Sequence, residues 1–207
     1  LLQYAPPLVK VTIVPRGQSL GAAWYLPEER SITTTEQLLD QMCSALGGRA
    51  AEQIMFDKIS TGALSDLEKV TKQAYAMVSI YGLNKRVGNL SYYDSQGRDY
   101  FTKPYSEDTA KMIDEEVSLL IEAQYQRAIE VLTAHKDKLE ALAEKLLTDE
   151  VIFKEDLEQI FGKRPWEVSN EVVPVETAEE AQNKTLGSQE SDAEEPSTEE
   201  KDSSETN

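Results

Sequence analysis

Two hydrophobic periods divide this chain. Val9-Lys10-Val11-Thr12-Ile13-Val14 alternates with period two, and Val, Ile and Thr suit the half-buried surface of a strand. Pro15-Arg16-Gly17 then predicts a turn, and Leu20 to Leu26 a second short strand closed by Pro27. The pair reads as a β-hairpin or the edge of a small sheet. From Thr33 onward the period becomes helical. Thr33 and Glu36 fit a capping box, and Leu38, Leu39, Met42, Cys43 and Leu46 follow on one face. Ala50, Ala51, Ile54 and Met55 continue the stripe past Gly47-Gly48. Each glycine weakens a helix interior by about 1 kcal/mol relative to alanine. A pair inside a helix therefore implies a neighbouring backbone packed close.

Ser65 and Glu68 fit a second capping box, and Val70, Ala74, Met77, Val78 and Tyr81 make the next stripe, ended by Gly82. Residues 83–104 read as loop with a short strand around Val87 to Tyr92. Ser106, followed by Glu107 and Asp108, caps a long helix lined by Ile113, Val117, Leu120, Ile121, Ala128, Ile129 and Leu132. A helical hairpin partner follows from Lys136 to Leu147, with Leu139, Leu142, Ala143, Leu146 and Leu147 inward. Lys154 to Phe161 is a last short helix. The fold class is mainly α, a helical domain over residues 1–165 with a small β element near its start.

After Trp166 the pattern dissolves. Glu171 to Asn207 holds twelve acids and two lysines, so it carries −10 of the formal charge of −17. Such a composition cannot bury enough apolar surface to offset the entropy of ordering. Residues 166–207 are expected to form a disordered acidic tail. The remaining −7 argues against nucleic-acid binding, which needs a basic face. No apolar run approaches the roughly 20 residues that span a membrane, so this stretch is expected to be soluble. The chain starts at Leu1, and Leu1 to Ala5 reads as the end of a helix cut off by Pro6-Pro7, as in a piece of a longer protein.

Candidate chemistry is sparse. The single cysteine, Cys43, sits in an apolar helical pattern and reads as a small buried residue. The single histidine, His135, lies at a turn between two helices. No phosphate-binding glycine loop is present. A hydrolytic zinc site needs three protein ligands and an open position, and one histidine cannot complete it. The acid that stands out is Asp66. It follows the turn Ser60-Thr61-Gly62-Ala63 and sits at a helix start, where unpaired N–H groups and the helix dipole hold a carboxylate ionised. On that ground alone it is a dipole-stabilising acid, contributing about 0.3–1 kcal/mol, or a cation ligand.

Four segments together carry a resemblance. They are Val11-Thr12-Ile13-Val14-Pro15-Arg16-Gly17 with Leu20-Gly21, then Leu46-Gly47-Gly48-Arg49-Ala50-Ala51-Glu52. Next come Ser60-Thr61-Gly62-Ala63 with Asp66-Leu67, and Pro104-Tyr105-Ser106 with Ile113-Asp114-Glu115-Glu116-Val117. In this order and spacing, over about residues 1–165, they resemble the peptidase domain of the FtsH-type membrane proteases of bacteria and mitochondria. That resemblance implies a membrane-anchored, ATP-dependent zinc protease working as a homo-hexamer on unfolded or unneeded polypeptides. It implies a bacterial inner-membrane location with the peptidase domain facing the cytoplasm. ATP and Mg would bind a separate ATPase domain. His-Glu-x-x-His would lie just upstream of Leu1, its Glu taking a proton from the attacking water, and Asp66 would be the third zinc ligand.

Glu52 is the rival acid, as a ligand or as a partner orienting a histidine. Leu20, Gly21 and Ala22 read as an edge strand that pairs with an extended substrate, or as an ordinary hairpin strand. Thr61 and Gly62 shape the loop before Asp66. Trp24, Tyr25, Tyr92 and Tyr93 read as core or subunit contacts. The chain by itself is expected to lack proteolytic activity. The alternative reading is a non-catalytic helical oligomerisation module.

Overall fold

Four amphipathic helices can bury their apolar stripes only against each other, and that need sets the architecture. The computed structural model describes residues 1–15, 17, 20–26, 32–92 and 104–166. Its elements in chain order are β1 (Leu8–Thr12), β2 (Ala22–Tyr25), α1 (Thr35–Ala45), α2 (Gly47–Phe56), a 3-10 turn (Thr61–Ala63) and α3 (Leu64–Ser79). They continue with α4 (Glu107–Thr133), α5 (Lys136–Asp149), β3 (Val151–Phe153) and α6 (Lys154–Phe161). The fold is mainly α with a small antiparallel sheet, as expected. The expected tail and Tyr93 lie outside the described residues.

Helix α4 is the spine, and α1, α2 and α3 pack around it. Met42, Cys43 and Leu46 from α1 and its end, Ala50 from α2, Val70, Ala74, Met77 and Val78 from α3, and Ile113, Val117 and Ala128 from α4 form one buried cluster. These are the positions the helical period selected. Burial pushes the Cys43 thiol above its ordinary range, so it is a poor nucleophile.

Several helix boundaries differ from expectation. Thr34, not Thr33, caps α1. Its hydroxyl accepts from the Gln37 N–H at 3.4 Å, and the Gln37 side chain accepts from the Thr34 N–H at 2.8 Å. Three consecutive threonines make the two registers nearly equivalent in sequence. The glycine pair is not interior either. Helix α1 stops at Ala45, the chain kinks at Leu46, and Gly47-Gly48 open α2. A Cβ built on either glycine meets nothing within 4 Å, so no backbone packs close there.

The Ser65–Glu68 box does not form. The Ser60 hydroxyl accepts from the Gly62 N–H at 3.1 Å and starts the 3-10 turn that runs into α3. Ser65 and Glu68 are therefore already inside the helix, and Glu68 pairs with Lys72 instead. At the other end Gly82, with φ +63°, lets the Leu83 N–H reach back to the Met77 carbonyl at 3.1 Å.

No strand forms between Val87 and Tyr92. The Asn84 side chain accepts from the Arg86 and Val87 N–H groups at 2.9 and 3.0 Å. Such local side-chain bonds offer the backbone an alternative to a ladder. Tyr92 meets Tyr105 edge to face at 4.8 Å. Of the five α5 residues expected inward, Leu139, Leu142 and Leu146 are half-buried; Ala143 and Leu147 face outward, Leu147 at 75% exposure. The reason is that α5 packs on α6 and β3 as well as α4, not flat along α4.

The sheet has order β2-β1-β3, both pairings antiparallel. Strand β3 was not anticipated. Glu150, at φ +60°, ends α5 and turns the chain into it. Thr12 Oγ1 donates to the Glu150 carbonyl at 2.8 Å, fastening the corner. Ile152 is fully buried on one face. On the other, the Lys10 ammonium lies over the Trp24 ring at 5.2 Å and the Phe153 ring at 5.7 Å.

Leu1–Ala5 is not helical in this structure. Pro6 biases the residue before it out of the helical region, and neither Pro6 nor Pro7 has an N–H to continue a helix. The five residues are held by charged groups instead. The Tyr4 N–H donates to Asp40 Oδ2 at 2.8 Å, and Asp40, 3% exposed, is ion-paired to Arg127 on α4.

Candidate metal centre

Helix α3 sets the position of Asp66. The carboxylate is on the third residue of α3, two residues past its first position and still within the first turn, and the 3-10 turn Thr61–Ala63 leads into it. Its side chain is 43% exposed and makes a loose ion pair with Lys69 at 3.7 Å. An exposed carboxylate in the first turn of a helix, paired only loosely with Lys69, fits an oxygen ligand for a cation.

Glu52 is placed differently. Its Oε2 accepts from the Ser60 N–H at 3.0 Å and its Oε1 accepts from the Ser60 hydroxyl at 2.6 Å. Those two bonds hold its carboxyl below the ordinary range. Both oxygens are thus engaged in fixing the turn that leads to Asp66. Gly62 belongs to the same clasp, since a Cβ there would sit 3.3 Å from Ser60 Oγ and 4.0 Å from Glu52 Oε1. The clasp joins residues eight apart across a turn, and no sequence period announces it.

Strand β2 is one edge of the sheet. Half-burial lifts the Tyr25 phenol above its ordinary range, and the negative charge of Asp66 adds to the shift. Tyr25 and Asp66 are therefore within electrostatic reach of one another. Leu20 is 84% exposed, Gly21 precedes the strand, and Ala22 opens it opposite Thr12. A Cβ at Gly21 would lie 2.6 Å from the Thr12 carbonyl oxygen, so only glycine lets the chain approach β1 this closely. Trp24 is absorbed by the Lys10 contact. His135 lies far along the chain at the α4–α5 junction, its Nδ1 2.9 Å from the Val131 carbonyl.

Among the described residues, no three His, Cys, Asp or Glu side chains gather into a group able to hold a metal ion. Asp66 fits one arm of a zinc shell, Glu52 is already occupied, and the four-coordinate site that zinc prefers is not completed by the described residues.

A family model described as Peptidase family M41 matches residues 1–160. The chain belongs to peptidase family M41. It is 57% identical over 195 residues to the ATP-dependent zinc metalloprotease FtsH of Parabacteroides distasonis, a match covering 93% of this chain and 28% of that protein. The FtsH of Karelsulcia muelleri is 54% identical over 162 residues, 77% of this chain and 26% of the relative. The mouse mitochondrial inner membrane m-AAA protease component AFG3L2 is 49% identical over 166 residues, 80% of this chain and 21% of the relative.

This M41 chain thus spans about a quarter of the length of the curated relatives it matches. The relatives' names carry zinc, ATP dependence and a mitochondrial inner membrane. No helix among the described residues is long and apolar enough to cross a membrane.

Proposed function

We propose that this chain is the peptidase portion of a membrane-anchored, ATP-dependent zinc metalloprotease that degrades unfolded or unneeded proteins. Asp66 contributes the acidic zinc ligand, and the two histidine ligands and the general base come from a His-Glu-x-x-His that precedes Leu1 in the parent. The observation that carries this reading is an exposed, loosely paired carboxylate in the first turn of α3, within electrostatic reach of Tyr25 on an edge strand of the sheet. Glu52 acts through the Ser60 clasp, orienting the turn and leaving its own oxygens unavailable to a metal. A zinc ion in such a site supplies Lewis acidity toward the scissile carbonyl and activates a water.

The outer edge of β2, with Leu20, Gly21 and Ala22 at its start, binds the substrate backbone. Main-chain pairing of this kind tolerates many sequences, which suits a quality-control protease. ATP and Mg act in a separate ATPase domain. The parent works as a homo-hexamer anchored in a bacterial inner membrane, with the peptidase portion facing the cytoplasm.

The test is zinc affinity and casein cleavage of the parent protein with Asp66→Asn. Loss of an oxygen ligand is expected to weaken zinc at least tenfold and abolish cleavage. A change in affinity of no more than a few-fold would transfer the ligand role to Glu52. This chain alone is expected to cleave nothing; chelator-sensitive casein cleavage by it would refute the division of the site.

A further inference from the structure

Charged groups from opposite ends of the chain converge on Leu1–Ala5. Arg164 Nη2 donates to the carbonyls of Leu2, Gln3 and Ala5 at 3.3, 3.1 and 2.8 Å. Asp40, buried and paired with Arg127, accepts from the Tyr4 N–H. Leu2 packs against the helical core.

A segment with no secondary structure of its own stays ordered only where it is tied down. Here one guanidinium nitrogen gathers three carbonyls within four residues. Carbonyls clustered in this way are what the last turn of a helix leaves without partners, and basic side chains near such ends satisfy them. The second tie comes from α1, which packs on α3, the helix that carries Asp66. Through α1, the helices that hold Asp66 therefore also hold Leu1–Ala5, while Arg164 holds it from beyond α6.

We propose that Arg164 is a positioning residue for the metal centre: by gathering the Leu2, Gln3 and Ala5 carbonyls it fixes the orientation in which the preceding histidine ligands meet Asp66. The proposal rests on the reading that those ligands precede Leu1 in the parent protein. Its chemistry is that of one cationic nitrogen shared among three carbonyls at the end of a long stem; a lysine ammonium carries several donors too, but its stem is one bond shorter and reaches fewer of the three.

The experiment uses the parent protein with Arg164→Ala and Arg164→Lys. Zinc affinity is measured by competition with a chelator, and cobalt(II) replaces zinc as a spectroscopic probe. Amide exchange at Tyr4 reports the segment itself. Arg164→Ala is expected to weaken zinc about 10- to 100-fold, the range typical of groups that orient ligands. It should also shift the cobalt absorption and speed Tyr4 exchange at least tenfold. Arg164→Lys, which keeps the charge and is the variant to use if alanine does not fold, is expected to recover less than half of the loss on a logarithmic scale.

A purely structural role would lower the melting temperature and leave the cobalt spectrum and zinc affinity unchanged; that result overturns the proposal and leaves the role of Asp66 intact. A wild-type parent that binds no zinc overturns both.

Discussion

Arg127→Met isolates the buried charge of Asp40. The variant keeps most of the side-chain volume and removes the guanidinium. Asp40 is 3% exposed and would retain one hydrogen bond, from the Tyr4 N–H. Breaking a fully buried pair costs about 3–5 kcal/mol, because the partner is left charged and dry. Arg127 is itself 40% exposed, so water enters the vacated site and the cost falls to about 2–3 kcal/mol by the same reasoning.

For a domain of this size each kcal/mol moves the midpoint by about 2–4 °C, so the melting temperature should drop by about 4–12 °C. The opposite deletion, Asp40→Asn, should cost less. Asparagine still accepts from Tyr4, and the stranded Arg127 is reached by solvent. The double variant Asp40→Leu/Arg127→Met should recover much of the loss, since apolar replacement of a buried pair is often neutral. Calorimetry of the four proteins decides it. A drop below 2 °C for Arg127→Met, or a larger effect from Asp40→Asn, would refute the account.

Two further outcomes follow from the site and the sheet. The Glu52 carboxyl is depressed by the Ser60 bonds, so the stabilisation they give is present above its unfolded pKa and is lost as pH falls through its folded value. NMR titration should show the 60–66 turn loosening only below the ordinary carboxylate range, and Ser60→Ala should bring the Glu52 titration back toward that range; an unchanged titration contradicts the clasp. Gly21→Ala places a methyl group 2.6 Å from the Thr12 carbonyl oxygen. Overpacking of this kind costs about 1–3 kcal/mol, and amide exchange in Ala22–Tyr25 should accelerate; full protection there would mean that the ladder stays closed around the methyl group and would refute the clash.

How much of this was legible in the sequence depends on the range of the signal. Periodicity found α3, α4 and α6 and nearly all of the buried cluster, because each stripe repeats over two turns or more. Register signals were weaker. Thr33, Thr34 and Thr35 offer competing caps, and only the geometry of Gln37 selects among them. Gly47-Gly48 was read as an interior pair because the apolar stripe continues past it, yet a one-residue kink at Leu46 preserves the stripe across two helices.

Asp66 was singled out by local chemistry and family likeness together. The Ser60–Glu52 clasp and the Arg164 contacts were not found, since each joins polar residues that no period connects. Strand β3 was missed for a different reason: three residues between a left-handed Glu150 and a helix are too few to show alternation.

The central strand of the sheet has a kinetic consequence. β1 forms one ladder with β2, about a dozen residues away, and the other with β3, about 140 residues away. The helices between them need only nearer partners. During synthesis the bundle can therefore assemble while one flank of β1 still presents unpaired N–H and C=O groups, the condition in which strands join neighbouring chains. That flank closes only after Val151–Phe153 has left the ribosome, so the last short strand acts as the seal on the first, and on a crowded polysome its arrival ends the interval of greatest risk.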